Sequence, residues 1–434
     1  MRFMNGLFLA GLVMATPALA DDAARIRELE RKLERSMQLI DELSAKVQRL
    51  EQGAAAQAQA PAVPAAAEQQ ARVEALERQV DQLGTGLSRR SLEEAAQLRG
   101  FADVGFGYSG ENNPAFGRGR KGFGVGNVDL YLTPRLGDRI RTLIELTFEI
   151  EDGRTEADLE RVQLGYAFND AATAWLGRFH TPYGYWNTAT HHGAQLQTSI
   201  LRPRFLDFEE HTGVLPAHTI GAWLAGSAPT APGRLGYDLY LGNSPRIDVT
   251  PADGGKLRLQ PEGGTDHAPL YGFNAWLEPR AVEGLRLGVH GLRGTVEDNA
   301  TPASHRTRLG FYGGHAVFAD GRWEVMAEYF RFQNRDLWGG TGTHRSWAGY
   351  LQAGYRIGLA TPYLRLENAQ LSQADNYFAT QRFGRSYRRA ALGLRYDLDP
   401  RAALKAELIG TDQDDVGTAN DRYGEARFQY SIRF

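Results

Sequence analysis

Between residues 101 and 434 the apolar side chains recur at every second position, and no run of eighteen apolar residues follows residue 20. A two-residue period belongs to extended strands with two unlike faces. Residues 139–151 are the clearest case. Ile140, Thr142, Ile144, Leu146, Phe148 and Ile150 share one face, while Arg139, Arg141, Leu143, Glu145, Thr147, Glu149 and Glu151 share the other. The last segment repeats the pattern: Gly424, Ala426, Phe428, Tyr430, Ile432 and Phe434 alternate with Tyr423, Glu425, Arg427, Gln429, Ser431 and Arg433. If such a chain crosses a membrane it must do so with strands. Lipid offers no partner for an unpaired edge, so the sheet has to close.

Sixteen segments of this kind start near residues 101, 123, 139, 159, 172, 217, 234, 268, 284, 305, 321, 345, 361, 386, 401 and 422. The fold class they predict is all-β, a sixteen-stranded antiparallel transmembrane β-barrel. The connections support it. Those at 133–138, 169–171, 227–233, 278–283, 320–321, 358–360 and 399–400 are short. The intervening ones at 109–122, 184–216, 243–267, 295–304, 334–344, 372–384 and 411–421 are long, and only 152–158 is brief. Long outer loops and short periplasmic turns alternate in this way in outer-membrane barrels, whereas a soluble two-sheet sandwich has no reason to sort its loops. The phase puts both barrel ends in the periplasm.

Composition agrees. With 50 Gly, 20 Phe, 18 Tyr and 7 Trp the chain is too aromatic for disorder. A mean hydropathy of −0.42 excludes an all-helical membrane protein. A net charge of −3 indicates no bulk nucleic-acid partner. Without cysteine there is no disulfide, thiolate metal site, cysteine nucleophile or lipoprotein anchor.

The first hundred residues follow other rules. Arg2, the apolar stretch 6–14 and Ala18-Leu19-Ala20 form the three parts of a secretory signal over 1–20. In 21–52, Ile26, Leu29, Leu33, Ile40, Leu43, Val47 and Leu50 recur at steps of three and four, broken at Ser36, which predicts a coiled coil. Residues 53–70 form an Ala/Pro/Gln-rich linker. The spacing resumes over 71–99 at Val73, Leu76, Val80, Leu83 and Leu87, a second helical segment. The expectation is an oligomerising periplasmic stalk ahead of a barrel at 100–434. A single amphipathic helix packed on its own domain is the alternative.

Two segments carry a resemblance. The terminal Arg427-Phe428-Gln429-Tyr430-Ser431-Ile432-Arg433-Phe434 resembles the last strand of bacterial outer-membrane proteins, which the barrel-assembly machinery reads. Gly177-Arg178-Phe179-His180-Thr181-Pro182-Tyr183-Gly184 is similar to a segment of the phosphate-selective porin O/P family and of the DcaP-like porins. The resemblance implies a trimeric sixteen-stranded porin in the outer membrane, with a coiled coil before the barrel and a loop after this segment folded into the lumen.

A porin needs a wet lumen, a constriction and charges that weight which solutes enter. The connection 184–216 is the expected constriction loop, with His191, His192, Arg202, Arg204, Asp207, Glu209, Glu210 and His211. Parity sends Arg139, Arg141, Arg161, Arg178, Arg306 and Arg308, among thirteen arginines, to the lumen. Glu145 and Glu149 are among eleven acids expected to face them. Arginine suits carboxylate and phosphate, so the lean is to small anions. The expected partners are small hydrophilic solutes or ions, outer-membrane lipid, two further copies of the chain, and peptidoglycan through the stalk.

Other signals fail their context. Gly105-Phe106-Gly107-Tyr108-Ser109-Gly110 fits a dinucleotide fingerprint, but no helix follows it. His180, His191, His192, His211 and His218 have no spacing that fixes a tetrahedral metal set, and no nucleophile elbow surrounds Ser199. No enzyme, cofactor or metal is therefore expected. The rival functions are a tether, with the barrel as anchor and the stalk reaching the cell wall, and a surface adhesin, which the Gly-rich, polar outer loops disfavour because an adhesin's loops should be aromatic-rich.

Overall fold

A computed structural model describes residues 96–110, 121–134, 136–151, 154–190, 193–209, 213–250, 254–259, 269–414 and 421–434. They belong to one compact unit, Ser88–Phe434. The signal, the coiled coil, the linker and residues 71–95 of the second helical segment lie outside the described residues.

Alternation produces strands at all sixteen expected places, each starting within five residues of its expected position. They are β1 (Ala96–Ser109), β2 (Lys121–Pro134), β3 (Ile140–Glu151), β4 (Arg154–Asn169), β5 (Ala172–His180), β6 (His218–Pro229) and β7 (Gly233–Asn243). After a small hairpin, β8 (Arg246–Asp248) and β9 (Lys256–Arg258), come β10 (Pro269–Pro279), β11 (Leu285–Asp298), β12 (Arg306–Ala319), β13 (Trp323–Asp336) and β14 (Thr343–Tyr355). The last four are β15 (Ala360–Gln370), β16 (Tyr387–Asp399), β17 (Ala402–Gln413) and β18 (Asp421–Arg433). Residues 96–99, expected at the end of a helix, are strand, because Ala96 to Arg99 pair with Pro134 to Tyr131 of β2. The hairpin β8–β9 was not expected. It extends the connection after β7, and β8 adds a short parallel pairing to β11.

Each barrel strand pairs antiparallel with its neighbour, and β7 pairs with β10 across the hairpin. The ring closes where β1 meets β18, from Phe101 opposite Arg433 to Ser109 opposite Glu425. Gly100 and Phe434 exchange both backbone hydrogen bonds, at 2.9 and 3.0 Å. The closed, all-antiparallel barrel of sixteen strands leaves no edge unpaired among these strands.

The two faces differ sharply. Leu408 is 62 % exposed, while Glu407 beside it is 1 % exposed. Leu351, Leu364, Leu366, Leu392 and Leu394 share the outer face and are all exposed. Aromatic pairs bound this apolar band: Trp323 against Tyr355 (4.7 Å between centroids) at the short-turn end, and Tyr329 against Trp347 (6.1 Å) towards the other end. An apolar band between aromatic girdles is the outer surface of a strand-built membrane span.

Candidate functional site

Gly177, at φ +129°, lets β5 lie so close to β4 that a Cβ there would stand 1.8 Å from the Val162 carbonyl oxygen. Beyond it the chain leaves β5 and does not return to the sheet until His218. Among its described residues this connection contains one short helix, α1 (Trp186–Ala189), and a 3-10 turn, Arg204–Leu206. It bonds to inward residues of β13, β15, β16, β17 and β18. One segment can reach the same face of so many strands only from inside the barrel.

The anchors are charged wall residues gripping loop backbone. Glu328 of β13 accepts the N–H groups of Tyr185 (3.0 Å) and Trp186 (2.7 Å) and the hydroxyl of Tyr350 (2.9 Å). Glu407 of β17 accepts from the N–H groups of Ile200 (3.1 Å) and Leu201 (2.9 Å). Glu367 of β15 accepts the N–H of Arg204 (2.7 Å), and Glu324 accepts the Thr198 hydroxyl (2.7 Å). Arg365 is fully buried and donates to Ser199 Oγ (3.0 Å), Leu201 O (2.7 Å) and Arg202 O (3.3 Å) while bonding Glu367 (2.9 Å) and Glu407 (3.4 Å). Arg395 donates to the carbonyls of Gln195 (2.6 Å) and Gln197 (2.9 Å), and Lys405 to those of Ser199 (3.2 Å) and Ala194. Buried charges are tolerable only when fully bonded, and the loop backbone supplies those bonds.

Aromatic packing fills the space between loop and wall. Tyr183 meets Phe311 (5.5 Å) and Phe330 (5.8 Å), Phe205 meets Phe330 (5.3 Å), and Trp186 meets Tyr350 (5.7 Å). Burying each such ring stabilises the insertion by roughly 1.5–3 kcal/mol. A second connection joins them, through α2 (Asn376–Ala379). Phe378 packs on Phe332 (5.2 Å), and the Tyr377 hydroxyl donates to the Val214 carbonyl (2.6 Å). This second insertion is not legible in the sequence, because its apolar residues are too few to form a pattern.

The expected site residues separate into groups. Arg202 and Arg204 are buried: Arg202 lies over the Phe208 ring (4.2 Å) and donates to Asn187 (3.2 Å), and Arg204 bonds Gln413 and the Tyr423 hydroxyl (3.3 Å). Glu209 is buried too, accepting the His218 N–H (2.8 Å) and pairing with its Nδ1 (3.0 Å). His191, His192, Glu210 and His211 lie outside the described residues. On the wall, Glu145 pairs with Arg161, which lies over the Tyr131 ring, and Glu149 accepts from Asn127 (2.7 Å). Arg178 holds Asp158 (3.0 Å) and Glu160 (2.8 Å). Arg139 and Arg141 sit at the short-turn end, where Arg141 donates to the Asp138 carbonyl (2.7 Å) and Arg139 reaches the Tyr166 hydroxyl (3.4 Å).

The lumen assignment of Arg306 and Arg308 is corrected. Thr307, Leu309, Phe311, His315 and Val317 are the buried residues of β12, so both arginines lie on the outer face, where Arg306 pairs with Glu297 (3.1 Å). Parity fails here because the inserted loop makes the inner wall apolar, and an apolar face no longer marks lipid. Lys405 was missed, although it shares the inward face of β17 with Glu407.

One cluster could hold a divalent cation. Glu160, His180 and His218 are buried and bring ligand atoms within 4.8 Å of one another. His218 already bonds two carboxylates, with its Nε2 2.8 Å from Glu160 and its Nδ1 held by Glu209. A bulge between Glu145 and Leu146 leaves Glu160 out of the β3–β4 register, and its carboxylate meets both His218 and Arg178.

No family model matches the chain, and no curated protein matches it. Solved structures do. An anion-selective porin from Comamonas acidovorans superposes with a TM-score of 0.53 at 14% identity, covering 78% of this chain and 99% of that one. The outer membrane channel DcaP of Acinetobacter baumannii gives a TM-score of 0.54 at 11% identity, covering 78% and 97%. The chain has the fold of the bacterial porins. At these identities the likeness concerns the fold alone.

Proposed function

We propose that this protein is an outer-membrane porin through which small hydrophilic solutes diffuse passively. The observation that carries the reading is the asymmetry of the lumen. The loop is held against β13–β17 by buried charges, whereas inward charges on other strands keep partial exposure: Arg161 17 %, Arg178 18 % and Arg427 24 %. A passage beside the loop, bordered by ion pairs of both signs, stays wet and narrow. The short turns then face the periplasm and the long connections the exterior. The loop 184–216 sets the constriction by its bulk. Its own Arg202, Arg204 and Glu209 serve to anchor it, and Arg161, Glu149 and Arg427 weight the passage. A lean to anions is supported by the arginines and by the fold shared with the anion-selective porin from Comamonas acidovorans.

Kinship with the DcaP-like and phosphate-selective porins rests on residues 177–184, whose end glycines both adopt positive φ. That kinship supports a trimer and a periplasmic coiled-coil stalk. Catalysis has no place in this reading.

The test is single-channel recording of the refolded mature protein in a planar bilayer, with the reversal potential taken across a salt gradient. Conductance in steps of three supports a trimeric porin, and the sign of the reversal potential reads the selectivity. No conductance from correctly folded protein would overturn the porin reading and leave the barrel as an anchor for a tether.

A further inference from the structure

Five arginines stand together on the outer face at the long-connection end: Arg293 of β11, Arg308 of β12, Arg331 and Arg335 of β13, and Arg345 of β14. Their strand neighbours Leu292, Leu309, Phe330, Phe332, Asn334 and Ser346 are buried on the inner side, so the arginine side chains point outward. The register places Arg308 directly opposite Arg335. Arg345 is opposite Gln333, and Arg293 is opposite Gly310, one outward position from Arg308. No ion pair joins any of the five to a described carboxylate, and Glu297 beside them is taken by Arg306. Like charges facing each other across two strands repel, and they repel more strongly beside lipid than in water.

The depth of the cluster gives its purpose. Arg331 lies in register between Tyr312 and Trp347, and Trp347 stacks with Tyr329 in the aromatic girdle. Further along the same outer faces come Val289, Ala316, Ala327 and Leu351 of the apolar band. The guanidinium groups therefore ring the girdle at the level of lipid headgroups, over the part of the wall the inserted loop backs from inside. We propose that this cluster binds a phosphorylated lipid of the outer leaflet, its phosphates bridging the opposed Arg308 and Arg335 and reaching Arg331. Guanidinium forks match phosphate oxygens bidentately, and arginines at a membrane surface add to anionic-lipid affinity in proportion to their number. The inference rests on the outer-membrane reading above. It needs no open pore.

The experiment uses the full-length refolded protein and vesicles of phosphatidylcholine containing lipid A, a diphosphorylated glycolipid, compared with the same lipid dephosphorylated. Wild-type protein is expected to bind the phosphorylated lipid preferentially, weakening as salt rises. Arg308→Gln, Arg331→Gln and Arg335→Gln should each lower affinity by about fivefold. The corresponding Lys variants should retain most of it. Conductance, read in parallel, should be the same in all of them. Equal wild-type binding to phosphorylated and dephosphorylated lipid would overturn the proposal without recourse to any variant. So would Gln variants that bind as wild type, or competition by inorganic phosphate as effective as that by the lipid. Loss of conductance with lipid binding kept would instead count against the porin reading alone.

Discussion

Gly184 leaves open the space that the Glu328 carboxylate occupies: a Cβ on this residue would stand 1.9 Å from Glu328 Oε2. The residue has φ +63°, a conformation natural to glycine, and its freedom lets the next two N–H groups close on the same carboxylate. Gly184→Ala should therefore strain the turn and push the carboxylate away, at a cost of about 1–3 kcal/mol. The barrel itself should survive. The expected readout is an intact β-sheet circular-dichroism spectrum with larger or flickering unitary conductance. Unchanged channels would show that the loop is held elsewhere.

Arg365 joins loop and wall through three loop atoms and two carboxylates, with no exposure to solvent. Arg365→Met leaves Glu367 and Glu407 buried beside one another without their cation, and breaking such a set costs about 3–5 kcal/mol. Arg365→Lys keeps the charge and loses the fork, and should fall between the two. Urea midpoints of the refolded proteins, read by tryptophan fluorescence, should rank wild type, Lys, Met in falling order.

Glu407 and Leu408 are adjacent in sequence and face opposite solvents. Leu408→Arg places a guanidinium in the apolar band and should cost up to about 2–4 kcal/mol near the bilayer midplane. Glu407→Leu strips two loop N–H groups of their acceptor, at about 1–3 kcal/mol each. The first should reduce insertion into vesicles, seen as loss of the heat-modifiable band on gels. The second should spare insertion and alter conductance. Identical defects in both would contradict the assignment of faces.

Charge changes beside the proposed passage should move selectivity. Arg161→Glu and Arg427→Glu are expected to shift the reversal potential towards cations, and Glu149→Gln towards anions. Reversal potentials across a salt gradient in planar bilayers measure both. A selectivity indifferent to all three substitutions would place the passage elsewhere.

The barrel was legible because its physics is local to each strand. Alternation found β3 and β18 from their own residues, and loop lengths ordered the strands without any contact being known. The inserted loop was found by its length and by the segment ending at Gly184. How it is held was not legible: Glu328 bonds Trp186 from 142 residues further along the chain, and nothing near either residue announces the other. Arg308 was misplaced for a related reason. Leu309 and Phe311 look lipid-facing in sequence, and only the tertiary fold puts Tyr183 behind Phe311. The short hairpin β8–β9 was invisible because three residues carry no period.

The seam between β1 and β18 joins the two strands of the described barrel that lie farthest apart in sequence. Until β18 is available, the N–H and C=O groups of Phe101 to Ser109 on that side have no partner, and the inward charges of the whole sheet have no enclosure. Every intermediate in assembly is thus an open ribbon with two sticky margins, prone to pair with another chain. Closing it requires the two margins to be kept from competitors until they meet. The vulnerability of this protein is therefore concentrated in its history before closure, and a helper that shields one margin would protect it more than any added contact within the finished wall.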